Sequence, residues 1–177
     1  ETASDTRNIM TQSKIIAEAR QKLGEDNENL VEYRKAVRNW QTFHVLNIIP
    51  VIGSIIKAFA PKDLELRTAA LELIVSQDLG AVTSSSCKSG KDREPLLISA
   101  MQVLRENPHV KGDDFMKAVL KQYLIDPHNM VQSGVAPGVE GNKVLYEIYT
   151  QKEITEAQVN LEKDSKILED GGKSLGK

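Results

Sequence analysis

Apolar residues recur along this chain at three- and four-residue steps, the period of a helix with one buried face. Ile9, Ile16 and Leu23 repeat every seven residues and stop at Gly24. Leu30, Tyr33, Val37 and Trp40 form a second stripe, with Asn27 or Asn29 placed to cap its start. Leu64, Leu66, Ala70, Leu71, Leu73 and Ile74 occupy more than one face, the pattern of a central, buried helix. Leu96, Leu97, Ala100, Met101, Val103 and Leu104 follow Glu94-Pro95 at helical spacing. Proline suits a first helical position, where its missing N–H loses nothing. Phe115, Val119, Leu120, Tyr123 and Leu124 mark a further helix, with Asp113 or Asp114 as cap after Gly112. Asp126-Pro127-His128-Asn129 then reads as a turn. Ile154, Ala157, Leu161 and Leu168 predict a last helix that ends near Gly171-Gly172.

Strand signals are few. Ala81–Ser84 is one candidate, and Val144–Tyr149 reads as strand or helix. The expected fold is α+β and predominantly α-helical, with helices around a short strand, loop and helix unit. A chain of 177 residues suits one domain with a real core. We place that domain at residues 1–170, with a flexible tail at 171–177. The chain opens on Glu1 instead of methionine, which reads as a domain excised from a longer protein.

Between His44 and Pro61 the chain carries Ile48-Ile49-Pro50-Val51-Ile52-Gly53-Ser54-Ile55-Ile56, then Ala58 and Phe59. The run is too short to span a bilayer and is broken by Pro50 and Gly53. Two readings stand: a loop and helix buried in the core, or an apolar surface that rests on a membrane.

Charge and composition narrow the chemistry. The net charge of −2 gives no electrostatic ground for nonspecific nucleic-acid binding. A single cysteine excludes an internal disulfide framework and suits a reducing compartment. His44, His109 and His128 lie far apart without metal-ligand spacing, so neither a metal nor another cofactor is expected.

The only cysteine opens the heptad Cys87-Lys88-Ser89-Gly90-Lys91-Asp92-Arg93. A cysteine and an arginine separated by five residues can close a tight loop around a phosphate. Attack on phosphorus needs a thiolate, and inward-pointing amides, a helix N-terminus and nearby cations depress a thiol pKa into the range of roughly 3.5–7.5. Gly90 lets the backbone turn where a side chain would meet the anion. Arg93 can grip two phosphate oxygens and stabilise them as the phosphoryl group transfers. Lys88 and Lys91 add two point charges, which suggests a substrate with several phosphates. Upstream, Gly80–Ser86 reads as an extended segment entering a polar turn, and downstream a helix aims its positive end at the anion.

This heptad, CKSGKDR, resembles the signature of bacterial secreted effectors that dephosphorylate phosphoinositides, of the Salmonella/Shigella and Legionella types. It is similar also to the active-site loop of inositol polyphosphate 4-phosphatases. The resemblance covers seven residues. It implies a phosphocysteine mechanism with Cys87 as nucleophile and Arg93 as phosphate clamp. Lys88, Ser89, Gly90 and Lys91 would hold the head group. A weaker likeness lies in Gly134-Val135 and Gly138–Lys143, a glycine-rich stretch that reads either as a surface loop joining two helical elements or as a loop bordering the pocket, with Asn142 or Lys143 at an inositol oxygen or phosphate. Partners implied are a phosphoinositide head group and, peripherally, the membrane that bears it. The implied location is the host cytosol at membrane surfaces, reached by secretion.

One position departs from the family. A Ser or Thr commonly follows such loops and hydrogen-bonds the departing sulfur; here stands Glu94. Ser84, Ser85 or Ser86 remain as alternative hydroxyls. The leaving inositol oxygen also needs a proton. Asp92 is the first candidate, Asp78 the second. Two rival functions remain: a protein tyrosine phosphatase, which needs a deep cleft with an aromatic wall, and a non-catalytic phosphoinositide-binding or helical scaffolding module.

Overall fold

A computed structural model of the chain describes residues 2–47, 61–82, 93–126 and 143–174. Among them are seven helices: α1 Thr2–Leu23, α2 Glu28–Asn47, α3 Leu64–Asp78, α4 Arg93–Glu106, α5 Gly112–Ile125, α6 Lys143–Ile148 and α7 Gln151–Ser174. No strand occurs among the described residues. The stretch 144–148, readable as strand or helix, belongs to α6. Ala81 and Val82, the described half of the other strand candidate, lie outside regular structure. The fold is predominantly α-helical. No described helix is long and apolar enough to cross a membrane.

By its contacts the chain forms two compact units. One comprises Glu1–Ser85 with Ala100–Met116, the other Ser86–Ser99 with Lys117–Lys177. In the first, α2 packs along α3, and α1 touches both. Their shared core holds Ala19, Leu30, Tyr33, Ala36, Val37, Ala70, Leu71, Ile74 and Val75. Each fully buried Leu or Ile of this set contributes about 1.5–3 kcal/mol relative to exposure. Tyr33 is wholly buried, and its hydroxyl donates to Glu72 Oε2 at 3.0 Å. Burial and the neighbouring Glu72 push the Tyr33 pKa up, so the phenol stays a donor. In the second unit the buried apolar residues are Leu96, Val119, Leu120, Tyr123, Leu145, Tyr149 and Ile154.

Helix ends follow local chemistry. Asn27 is the cap of α2, its Oδ1 accepting from Leu30 N at 3.0 Å. The chain leaves α1 at Gly24 (φ +86°). It leaves α3 through a Schellman turn: Gly80 (φ +84°) donates to Gln77 O, and Ala81 N donates to Ser76 O. The α5 start differs from expectation. Asp113 and Asp114 lie inside its first turn. The carboxylate that takes a backbone N–H there is Asp63, whose Oδ2 accepts from Gly112 N at 2.7 Å. Asp63 itself immediately precedes α3, so one residue ties the starts of two helices. Before α7, Thr150 and Glu153 form a capping box, with Thr150 N donating to Glu153 Oε2 and Glu153 N to Thr150 Oγ1. The helix then runs past Gly171 and Gly172 to Ser174.

Candidate functional site

The heptad is approached from two described flanks. Residues Cys87, Lys88, Ser89, Gly90, Lys91 and Asp92 lie outside the described residues, as do Ser84–Ser86, residues 48–60 and Gly134–Asn142. Arg93 is the first residue of α4, and Lys143 the first of α6. The expected helix after the loop is therefore present. It starts at the loop's last residue, two positions ahead of Pro95. Pro95 remains within the first turn, where an N–H has no intrahelical partner, so its ring is tolerated. Pro95 is buried, and its carbonyl accepts from the buried Ser99 hydroxyl at 2.9 Å. Glu94, the departure from the family pattern, is half-buried at the second helical position.

The upstream flank is the end of α3. Asp78 is its last residue rather than part of a loop. Asn29 Nδ2 donates to Asp78 Oδ2 at 3.2 Å, and Arg105 Nη1 lies 3.8 Å from Asp78 Oδ1. Arg105 also donates to Gln77 Oε1 at 2.8 Å. Beyond Gly80 the chain turns outward, and Val82 is fully exposed.

A second polar group was not singled out by sequence. Arg67 and Glu32 are buried together at 2.8 Å. Arg67 Nε also donates to Val110 O at 2.9 Å and its Nη2 to Pro108 O at 2.8 Å. Lys35 Nζ reaches the other Glu32 oxygen at 2.8 Å, with His109 Nδ1 3.3 Å from that oxygen. Burial pushes the Glu32 carboxyl up, but hydrogen bonds from Lys35, Arg67 and His109 outweigh it and bring the pKa down to about 2. The bonds of this group join α2, α3 and the 107–112 connection, which marks it as a structural staple. The available signal was Arg67 itself, a cation at the buried spacing of Leu71 and Ile74.

A small cleft of about 260 Å³ lies between the end of α2 and the start of α3, lined by Trp40, Phe43, His44, Pro61, Lys62, Leu64 and Glu65. The His44 ring stacks on Trp40 with centroids 4.9 Å apart. No cluster of three or more potential metal ligands occurs among the described residues. No protein-family model, curated protein or solved structure matches this chain.

Proposed function

We propose that this protein is a cysteine-dependent phosphoinositide phosphatase acting on the 3-phosphate, with the 4-phosphate as the next choice. The observation that carries the reading is the start of α4 at Arg93, the closing residue of the Cys-x5-Arg heptad. A phosphate loop of this type needs a helix N-terminus at its end, because the unpaired N–H groups there favour an anion.

The α+β description, with a short strand entering the loop, belongs to this reading.

In the proposed reaction the Cys87 thiolate attacks phosphorus, the bond from phosphorus to the inositol oxygen breaks, and Asp92 protonates that oxygen. Arg93 stabilises the equatorial oxygens while Lys88 and Lys91 hold neighbouring phosphates. Water then attacks the phosphocysteine, Asp92 takes its proton, and phosphate leaves with the thiolate restored. Glu94 puts a carboxylate where a hydroxyl commonly assists this second step, so breakdown of the intermediate is the slow half. No metal enters the scheme.

Malachite-green detection of phosphate released from a phosphoinositide panel tests the proposal, with wild type and Cys87→Ser run side by side. Release by the wild type alone supports it. Release from phosphotyrosine peptides instead points to a protein tyrosine phosphatase. No release from any substrate, with lipid binding retained, favours the binding module, the reading to which the helical character lends most weight.

A further inference from the structure

The cleft between the end of α2 and the start of α3 lies wholly within the first compact unit, and the proposed chemistry makes no use of it. Its volume of about 260 Å³ falls below the roughly 300–1,000 Å³ of drug-sized sites, so it suits a small head group. One wall is aromatic. Trp40, Phe43 and His44 stand at i, i+3 and i+4 on α2 and so share one face. All three are half-buried. The Trp40 and His44 rings lie 4.9 Å apart and within 10° of parallel, a stack that holds the indole in one orientation. The other wall is charged. Lys62 and Glu65 are exposed, and the turn that carries them is fixed by the bond from Leu64 N to Pro61 O. Among the described residues neither the Lys62 nor the Glu65 side chain has a hydrogen-bond or ion-pair partner.

Aromatic faces attract an alkylammonium, most strongly over indole, and a quaternary ammonium is the group such walls recognise best. The Glu65 carboxylate adds the matching charge. Lys62 supplies a point charge of the opposite kind, suited to a phosphate. A ligand that uses both carries a cation and an anion a few bonds apart. We propose that this cleft binds a phosphocholine-type group, with the trimethylammonium against Trp40, Phe43 and Glu65 and the phosphate on Lys62. That chemistry occurs as free phosphocholine and as the head group of phosphatidylcholine. The inference stands apart from the phosphatase reading, and neither needs the other.

Trp40 is the only tryptophan of the chain, so its fluorescence reports on the cleft alone. The full chain is titrated with phosphocholine, with choline, and with neohexyl alcohol, the uncharged carbon analogue of choline. Vesicles of phosphatidylcholine and of phosphatidylglycerol form two further arms. The expected result is a saturable change with phosphocholine, and choline binding about tenfold tighter than neohexyl alcohol. Glu65→Gln weakens choline and phosphocholine alike, by about threefold. Lys62→Gln weakens phosphocholine and spares choline. Both replace exposed side chains, so the fold is kept. Trp40→Leu, read by calorimetry, weakens phosphocholine about tenfold or more; if that variant does not fold, Glu65→Gln and Lys62→Gln decide. A response to phosphatidylcholine vesicles that free phosphocholine competes away assigns the lipid, and saturation by phosphocholine without a vesicle response assigns the free compound. Equal binding of choline and neohexyl alcohol overturns the proposal, as do Glu65→Gln and Lys62→Gln that bind phosphocholine like wild type. An equal response to both kinds of vesicle with none to phosphocholine overturns it too, because that marks general membrane contact. No saturable response to any ligand does the same.

Discussion

Replacing Glu32 by Gln, and titrating both proteins with acid, isolates the best-defined electrostatic group of the molecule. Glu32 lies against Arg67, Lys35 and His109 and has its pKa lowered from 4.5 to about 2. The unfolded chain therefore takes up this proton before the folded one does. Stability from Glu32 is complete above its unfolded value and is lost as pH falls through about 2. A tenfold difference in proton affinity is worth about 1.4 kcal/mol, so the whole contribution is about 3 kcal/mol. Glu32→Gln at neutral pH removes one partner of a buried pair and leaves the Arg67 charge uncompensated, a loss of about 3–5 kcal/mol. Urea unfolding followed by circular dichroism at pH 7, 5, 4, 3 and 2.5 gives both curves. The difference between wild type and Glu32→Gln starts near the value at pH 7, stays level to about pH 5, and shrinks by most of 3 kcal/mol toward pH 2.5. Other carboxylates act on both proteins and cancel in the difference. Parallel curves over this range would falsify the assignment of acid sensitivity to this cluster.

Three further outcomes follow from local geometry and from the site. Thr150→Ala removes the capping box of α7 and lowers stability by about 1 kcal/mol in urea titration, whereas an unchanged midpoint means the box is idle. Gly80→Ala forces a Cβ into φ +84° but meets no atom within 4 Å, so its loss is conformational alone, about 1 kcal/mol; a loss several times larger contradicts this. Lys143→Ala leaves the melting temperature unchanged and reduces phosphate release, measured by calorimetry and malachite green; full activity removes Lys143 from the site.

Helix existence was legible because burial imposes period. The stripes Leu30, Tyr33, Val37 and Phe115, Val119, Tyr123 lie within α2 and α5, and all six side chains are buried. Gly24 ended α1 as read, since only glycine takes φ +86° without strain. Long-range partners were not legible. The Arg67–Glu32 pair joins residues 35 apart and the Gly112–Asp63 bond residues 49 apart, and no local pattern announces either. Local acids at 113 and 114 suggested a cap, but a distant carboxylate took the N–H. Residues 144–148 stayed ambiguous because one helical turn and a half is too short for period to separate helix from strand. The capping box Thr150-Gln151-Lys152-Glu153 is legible from its spacing alone, a Thr followed three residues later by a Glu. Of the proposed site, sequence supplied the chemistry of the heptad, and the structure adds its two flanks: the departure from α3 at Gly80 and the helix start at Arg93.

Acid-quench mass spectrometry during turnover addresses the central claim most directly. Wild type is mixed with the phosphoinositide that releases most phosphate, quenched within milliseconds to seconds, and digested. The account predicts a phosphate adduct on the peptide containing Cys87, built up because Glu94 slows its hydrolysis, and no adduct in Cys87→Ser. Phosphate release that persists in Cys87→Ser, with no adduct on the wild-type peptide, contradicts it.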